Sequence, residues 1–130
     1  MSLLVPNVGE VKILEKALNK VAADDVKIHL YSSNTTPAED DVVGTYTLIT
    51  DPAAITLTGA NWTVSTLAGT STAEHAQQTF NFTGAATVYG YVVTDNGGTN
   101  LLWSERFTDG PYTIPAGGGS IKITPKIQLE

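Results

Sequence analysis

Two histidines, His29 and His75, are the only imidazoles in the chain, and there is no cysteine. Disulfides and Cys-based zinc sites are therefore excluded. The histidines stand far apart and form no close ligand pair such as H-E-x-x-H. Both read as ordinary surface or edge residues: His29 on the polar side of a strand, His75 after Glu74 at a strand start. Oxygen ligands for a hard cation gather in Glu39-Asp40-Asp41 and Asp95-Asn96-Gly97-Gly98. A calcium loop needs alternating acidic positions, then Gly, then a distant Glu. Gly97 takes the third position, so the template fails. The two segments read as a solvated loop and a hairpin turn, with an ion held between loops or chains left as the alternative.

Nucleophilic chemistry finds no better footing. No G-x-S-x-G elbow is present, although a triad assembled from distant positions stays open. Carboxylate pairs carry no diagnostic weight among 13 acidic residues. Gly117-Gly118-Gly119 lacks the Lys-Ser/Thr of a phosphate loop and reads as a flexible hairpin. No catalytic residue, cofactor or metal site is assigned, and the chain reads as a non-enzyme.

The elements that would carry these residues follow from composition and period. The chain has 130 residues, 42% hydrophobic and 15% charged, which suits one folded domain and not a disordered segment. The formal net charge is −6, from 13 acidic and 7 basic residues. That balance argues against nucleic acid or an anionic membrane as partner. The start, Met1 to Asn7, lacks the basic and apolar regions of a secretory signal, and no apolar run reaches membrane-span length. A soluble protein made in a cytoplasm is expected.

Val11, Leu14, Leu18 and Val21, widened by Ile13 and Ala17, lie on one helical stripe and predict a helix near residues 8–21, capped by Asn7. From Val26 onward the period is two. Strands are expected at Val26–Tyr31, around Gly44–Thr50, at Ile55–Thr58 and Trp62–Ser65. Residues 66–73 read as a loop. Further strands are expected at Glu74–Thr83, Leu101–Phe107 and Ile121–Leu129, and at Thr87–Thr94, where an apolar run with two tyrosines reads as a strand buried on both faces, with a turn at Asp95–Asn100. Pro125 demotes the last strand to an edge or a bulge. About eight short strands with turns between them predict an all-β fold, an antiparallel β-sandwich or jelly-roll-like domain with one short N-terminal helix. The expected division is an arm and helix over residues 1–23 and a β body over 24–130. The helix would pack on the sandwich or cover an open edge.

Lys12, Lys16 and Lys20 recur every four residues and would form a basic ridge beside the apolar stripe. It reads as a solvated face or as a dock for an acidic partner. Lys122 and Lys126 fall on the outward side of the last strand, guarding an edge or touching a partner. Trp62, Trp103, Phe80, Phe82 and Phe107 suit core packing. The alternative is a carbohydrate-binding surface, since Trp103 and Phe107 share a side with Glu105.

Several phrases are familiar together: Leu3-Leu4-Val5-Pro6-Asn7-Val8-Gly9-Glu10, Leu57-Thr58-Gly59-Ala60-Asn61-Trp62, Ala76-Gln77-Gln78-Thr79-Phe80, Val88-Tyr89-Gly90-Tyr91, Glu105-Arg106-Phe107 with Gly110-Pro111-Tyr112-Thr113-Ile114, and Ile121-Lys122-Ile123-Thr124-Pro125. They resemble small structural proteins of tailed bacteriophages, with capsid decoration or cement proteins the best-fitting class. The resemblance implies a virion protein, synthesised in the host cytoplasm. It would bind the major capsid protein or another virion protein and form a homo-oligomer, a trimer or dimer. A carbohydrate- or receptor-binding module of a tail fibre or baseplate is the alternative. No family motif fixes contact residues. Partner docking is expected at Lys12, Lys16, Lys20, Lys122 and Lys126.

Overall fold

A computed structural model describes residues 3–18, 20–21 and 24–129. Met1, Ser2, Asn19, Ala22, Ala23 and Glu130 lie outside the described residues, and with them the expected boundary between arm and β body at residue 23. The order is α1 (Asn7–Ala17), β1 (Val26–Tyr31), β2 (Ile55–Leu57), β3 (Trp62–Leu67), β4 (Thr70–His75), β5 (Gln78–Phe82), β6 (Ala86–Val88), β7 (Gly90–Thr94), β8 (Leu101–Arg106), β9 (Tyr112–Ile114), β10 (Gly119–Ile123) and β11 (Lys126–Leu129). Among the described residues the fold is all-β apart from one helix and two 3₁₀ turns, and all the strand pairs are antiparallel.

The registers nest. Around the Asp95–Asn100 turn, β7 pairs with β8, β6 with β9, β5 with β10 and β4 with β11. Residues 71–94 thus run back against 101–129 as one interrupted ribbon. The turn holds because the Asp95 carboxylate accepts the Thr99 and Asn100 backbone N–H groups at 2.8 and 3.1 Å and the Asn100 amide at 2.5 Å. Partial burial works against that charge, but these bonds outweigh it and hold the carboxyl below its ordinary pKa. A further sheet has the order β2-β1-β7-β8, and β3 joins β4 to complete β11-β4-β3.

Apolar alternation explains the core. Ile28, Leu30, Tyr91 and Val93 face Phe80, Phe82, Ile121 and Ile123 across the main core. Leu102 is the extra residue where the β7–β8 register shifts, so both it and Trp103 reach this core. The opposite side of the β2-β1-β7-β8 sheet buries Tyr31, Val92 and Leu101 beneath Tyr46, Val43 and Val8. A polar cluster pins that cover. Buried Asp41 accepts the Tyr46 hydroxyl at 2.6 Å and the Ala38 N–H at 2.9 Å, and the Tyr46 oxygen lies 3.1 Å from Ser104 Oγ. Burial and the adjacent Asp41 both push the Tyr46 phenol well above its ordinary range. Arg106 adds a clamp, donating to the Thr35 carbonyl and Asn34 Oδ1 and lying over the Tyr89 ring.

The outer edge of β8 is covered as well. Leu4 and Ser104 exchange backbone hydrogen bonds at 3.1 and 3.0 Å, which makes the N-terminal segment a one-residue extension of the sheet. The helix follows at once and packs on β8 through Gly9. A Cβ at Gly9 would sit 2.1 Å from the Leu102 carbonyl oxygen. Of the two positions the sequence allows for the helix, the edge is the one observed.

Several expectations need correction. Pro6, not Asn7, precedes the helix as its cap residue; Asn7 is the first helical residue, and its N–H, which has no partner within the helix, donates to the Glu39 carbonyl at 2.9 Å. The helix stops at Ala17, short of residue 21. The strand expected at Gly44–Thr50 is a 3₁₀ turn plus an isolated bridge from Leu48 to Tyr31, since the Asp41–Tyr46 contact bends the chain there. Residues 66–73, read as a loop, form most of the β3–β4 hairpin around a two-residue turn at Ala68-Gly69. His75 is 2% exposed and not on the surface, with its ring nitrogens at 2.9 Å from the Ala76 carbonyl and 3.2 Å from the Thr58 carbonyl. The last expected strand is two, broken at Pro125, so Lys122 and Lys126 sit on β10 and β11 in separate sheets.

Two substitutions test this packing. Gly9→Ala gains about 1 kcal/mol of helix propensity in isolation. Here it is expected to lower stability, because overpacking against a fixed backbone costs about 1–3 kcal/mol. Urea unfolding decides the sign. Tyr46→Phe strands buried Asp41 and Ser104 and is expected to cost about 1–3 kcal/mol in the same measurement.

Candidate functional site

The helix sits on β8 with an unexpected rotation. Gly9 faces the strand, and at roughly 100° per residue Ile13 and Lys16 follow it inward. Val11, Leu14 and Leu18, the stripe expected to be buried, point away from the body. Leu14 is 60% and Leu18 78% exposed. Val21, just beyond the helix, is exposed too. The stripe and the ridge have exchanged sides. The reason is steric: only Gly9 allows the helix backbone to approach the β8 carbonyls.

The lysines consequently form no free ridge. Lys12 donates to Glu15 Oε2 at 3.0 Å, Lys16 pairs with Asp24, and both are partly buried. Their stems cover apolar surface while their charges are met locally. Lys20 is exposed past the helix end, its backbone N–H bound to the Glu15 carbonyl at 2.8 Å. Lys122 stands opposite Thr79, and Lys126 opposite Glu74. Three of the five lysines belong to the helix region and two to different sheets.

Beneath the helix lies an apolar cleft of about 250 Å³. Ile13 and the Lys16 stem roof it, Leu102 and Trp103 lie on the β8 side, and Val26, Trp62, Ala73 and Ile127 complete the lining. Trp62 meets Trp103 edge-on at 6.3 Å and His75 at 5.0 Å. Trp103 is buried, which puts it in the core and not in a solvent-facing aromatic surface. Its indole N–H finds no partner among the described residues. The Tyr91 hydroxyl donates to Glu105 at 2.9 Å, and burial beside that carboxylate raises the phenol's pKa.

The register extends the cleft into a broader face. Val64, Ala73 and Ile127 are cross-strand neighbours, as are Thr66, Ser71 and Leu129 one step further out. All share the side of the β11-β4-β3 sheet that lines the cleft, because alternate residues point the same way. The outer part runs past the core: Val64 is 72% and Leu129 69% exposed. Exposed apolar side chains thus lie on both the helix and this sheet. The Val64–Leu129 part was missed in the sequence because residues 66–73 were read as a loop, which removed the Ser71–Ala73 strand that stands between those two side chains.

No cluster of three or more metal-ligating side chains exists among the described residues. Asp41 and Asp95 spend their carboxylates on the fold itself. His29 lies 2.9 Å from Thr94 Oγ1, and burial, aided by the Lys27 charge, lowers its pKa below 6.5. Comparison of the chain with protein-family models, curated proteins and solved structures finds no match.

The His29 shift carries a sign. The fold favours the neutral ring, so its contribution is present above the unfolded-state pKa near 6.5 and lost as pH falls through the lower folded value. Denaturation midpoints measured between pH 8 and pH 5 should fall on acidification, and His29→Gln should flatten that slope.

Proposed function

We propose that this chain is a non-enzymatic structural protein of a bacteriophage virion, a decoration or cement protein that binds a larger shell protein. The outward apolar stripe of α1 carries this reading. Val11, Leu14 and Leu18 stand exposed on a helix whose other side is locked to β8. Covering a leucine is worth about 1.5–3 kcal/mol, and grouped exposed apolar side chains mark interaction sites. A helix that leaves its apolar side unpartnered suits attachment to a groove on another protein. The resemblance to phage structural proteins supplies the class of partner.

The nested pairing β7–β8, β6–β9, β5–β10 and β4–β11 supports a jelly-roll-like wrapping of the ribbon, the finer form of the all-β fold. Such a body needs no cofactor to act as a stiff plug between shell subunits. Attachment then depends on the turned-out leucines and less on the lysines, whose charges are partly met within the chain.

Quantitative mass spectrometry of purified particles tests this. Copy number should approach that of the shell subunits, and a number far below it defeats the decoration role. Leu14→Glu with Leu18→Glu should lower occupancy at least tenfold without unfolding the protein, since both side chains are exposed. Lys12→Glu with Lys16→Glu should have the smaller effect. Unchanged occupancy in the leucine double variant would sink the helix as the attachment element.

A further inference from the structure

We propose that two copies of this chain join through the free edge of β3, continuing the β11-β4-β3 sheet across a two-fold axis at Val64. Among the described residues β3 is the last strand of its sheet, and Thr63 to Leu67 are all exposed. Natural edge strands are guarded by lysine, proline, a bulge or extreme shortness. β3 reads Trp62-Thr63-Val64-Ser65-Thr66-Leu67: six residues, no charge, no proline, and a regular register with β4. It is the kind of edge that templates another strand.

The backbone specifies which groups are on offer. Ala68 and Gly69 both have positive φ, a two-residue hairpin turn, so Leu67 and Thr70 form the closing hydrogen-bonded pair. Alternation then sends the N–H and C=O groups of Thr63 and Ser65 to β4. Those of Val64 and Thr66 point outward together with the Trp62 carbonyl, while the Trp62 N–H is held by the Gly59 carbonyl. An antiparallel copy centred on Val64 places Val64 opposite its mate and Trp62 opposite Thr66. Each outward N–H then meets a carbonyl, Val64 to Val64 and Thr66 to Trp62.

Charge and side-chain pattern select a second copy as the occupant. Each chain carries −6 overall. Like-charged copies approach with least repulsion where the surface is neutral, and β3 is such a place. The nearest charges on its sheet, Glu74 and Lys126, stand opposite one another and offset each other. A two-fold perpendicular to the sheet also keeps alternation in step. The exposed Val64 and Leu129 of one copy then join the same apolar side in its mate. This pairing uses a different element from the shell-attachment helix, and it is read in solution without a particle, so either reading can fail alone.

Sedimentation of the intact protein over a concentration series, with a cysteine variant, tests the proposal. The wild type should dimerise. Val64→Lys places two ammonium groups at the axis and should weaken the dimer at least tenfold, with an unchanged circular dichroism spectrum. In this cysteine-free chain Val64→Cys supplies the sole thiol. A hydrogen-bonded antiparallel pair sets Cα atoms about 5.5 Å apart, inside the roughly 4.4–6.8 Å that a disulfide spans. Mild oxidation should therefore yield a covalent dimer, while Leu14→Cys on the helix should not. A monomeric wild type, a dimer indifferent to Val64→Lys, or cross-linking through residue 14 in place of 64 would each overturn the proposal. So would a monomer whose β3 amides gain exchange protection only when bound to a particle, since β3 would then pair with a partner's strand.

Discussion

The outer edge of β8 sets the terms for the rest of the molecule. A strand edge cannot leave its N–H and C=O groups buried and unpaired. Leu4 bonds to Ser104, and the helix then lies close enough for Gly9 to touch the Leu101 and Leu102 carbonyls. That contact fixes the rotation of α1, because one inward residue dictates the direction of every other on a helix. Ile13 and Lys16 are carried over the cleft, and Leu14 and Leu18 are carried outward. An amphipathic helix thereby shows its apolar side to the surroundings, against the usual rule.

The β body responds to the same demand for satisfied backbone. The 71–94 and 101–129 segments pair along most of their length, with breaks where the ribbon changes direction. At one break the His75 N–H reaches the Pro125 carbonyl at 2.8 Å, so the ladder is continued across a residue that cannot itself donate. The second side of the β2-β1-β7-β8 sheet is closed by loops, not strands. Loops carry polar backbone, which is why Asp41, Tyr46, Ser104 and Arg106 hold that layer by directed bonds in addition to apolar contact.

The interactions that remain unspent are at the surface. The leucines of α1 offer apolar area, and β3 offers backbone hydrogen bonds with Val64 and Leu129 beside them. These are different chemistries on different elements. The proposed attachment through the helix and the proposed pairing through β3 therefore coexist on one molecule without competing for residues.

Much of the β architecture was legible in the residues. Period-two alternation located β1, β5 and β8, a continuous apolar run located β7, and the Asn and Gly of the Asp95–Asn100 segment marked the turn around which the ribbon nests. The absence of cysteine removed disulfides and thiolate metal sites. The β3–β4 hairpin was less legible, because an exposed strand of threonine and serine lacks the half-buried alternation that marks a strand. Burial of His75 was equally hidden, since the Thr58 carbonyl and the Trp62 ring that cover it come from a separate segment. Composition and period by themselves determined that this chain makes short antiparallel strands behind a helix, because those preferences act over a few residues. Only the tertiary structure decided which side of that helix meets solvent. Period records where apolar residues align, whereas the 2.1 Å approach at Gly9 depends on a strand more than ninety residues away.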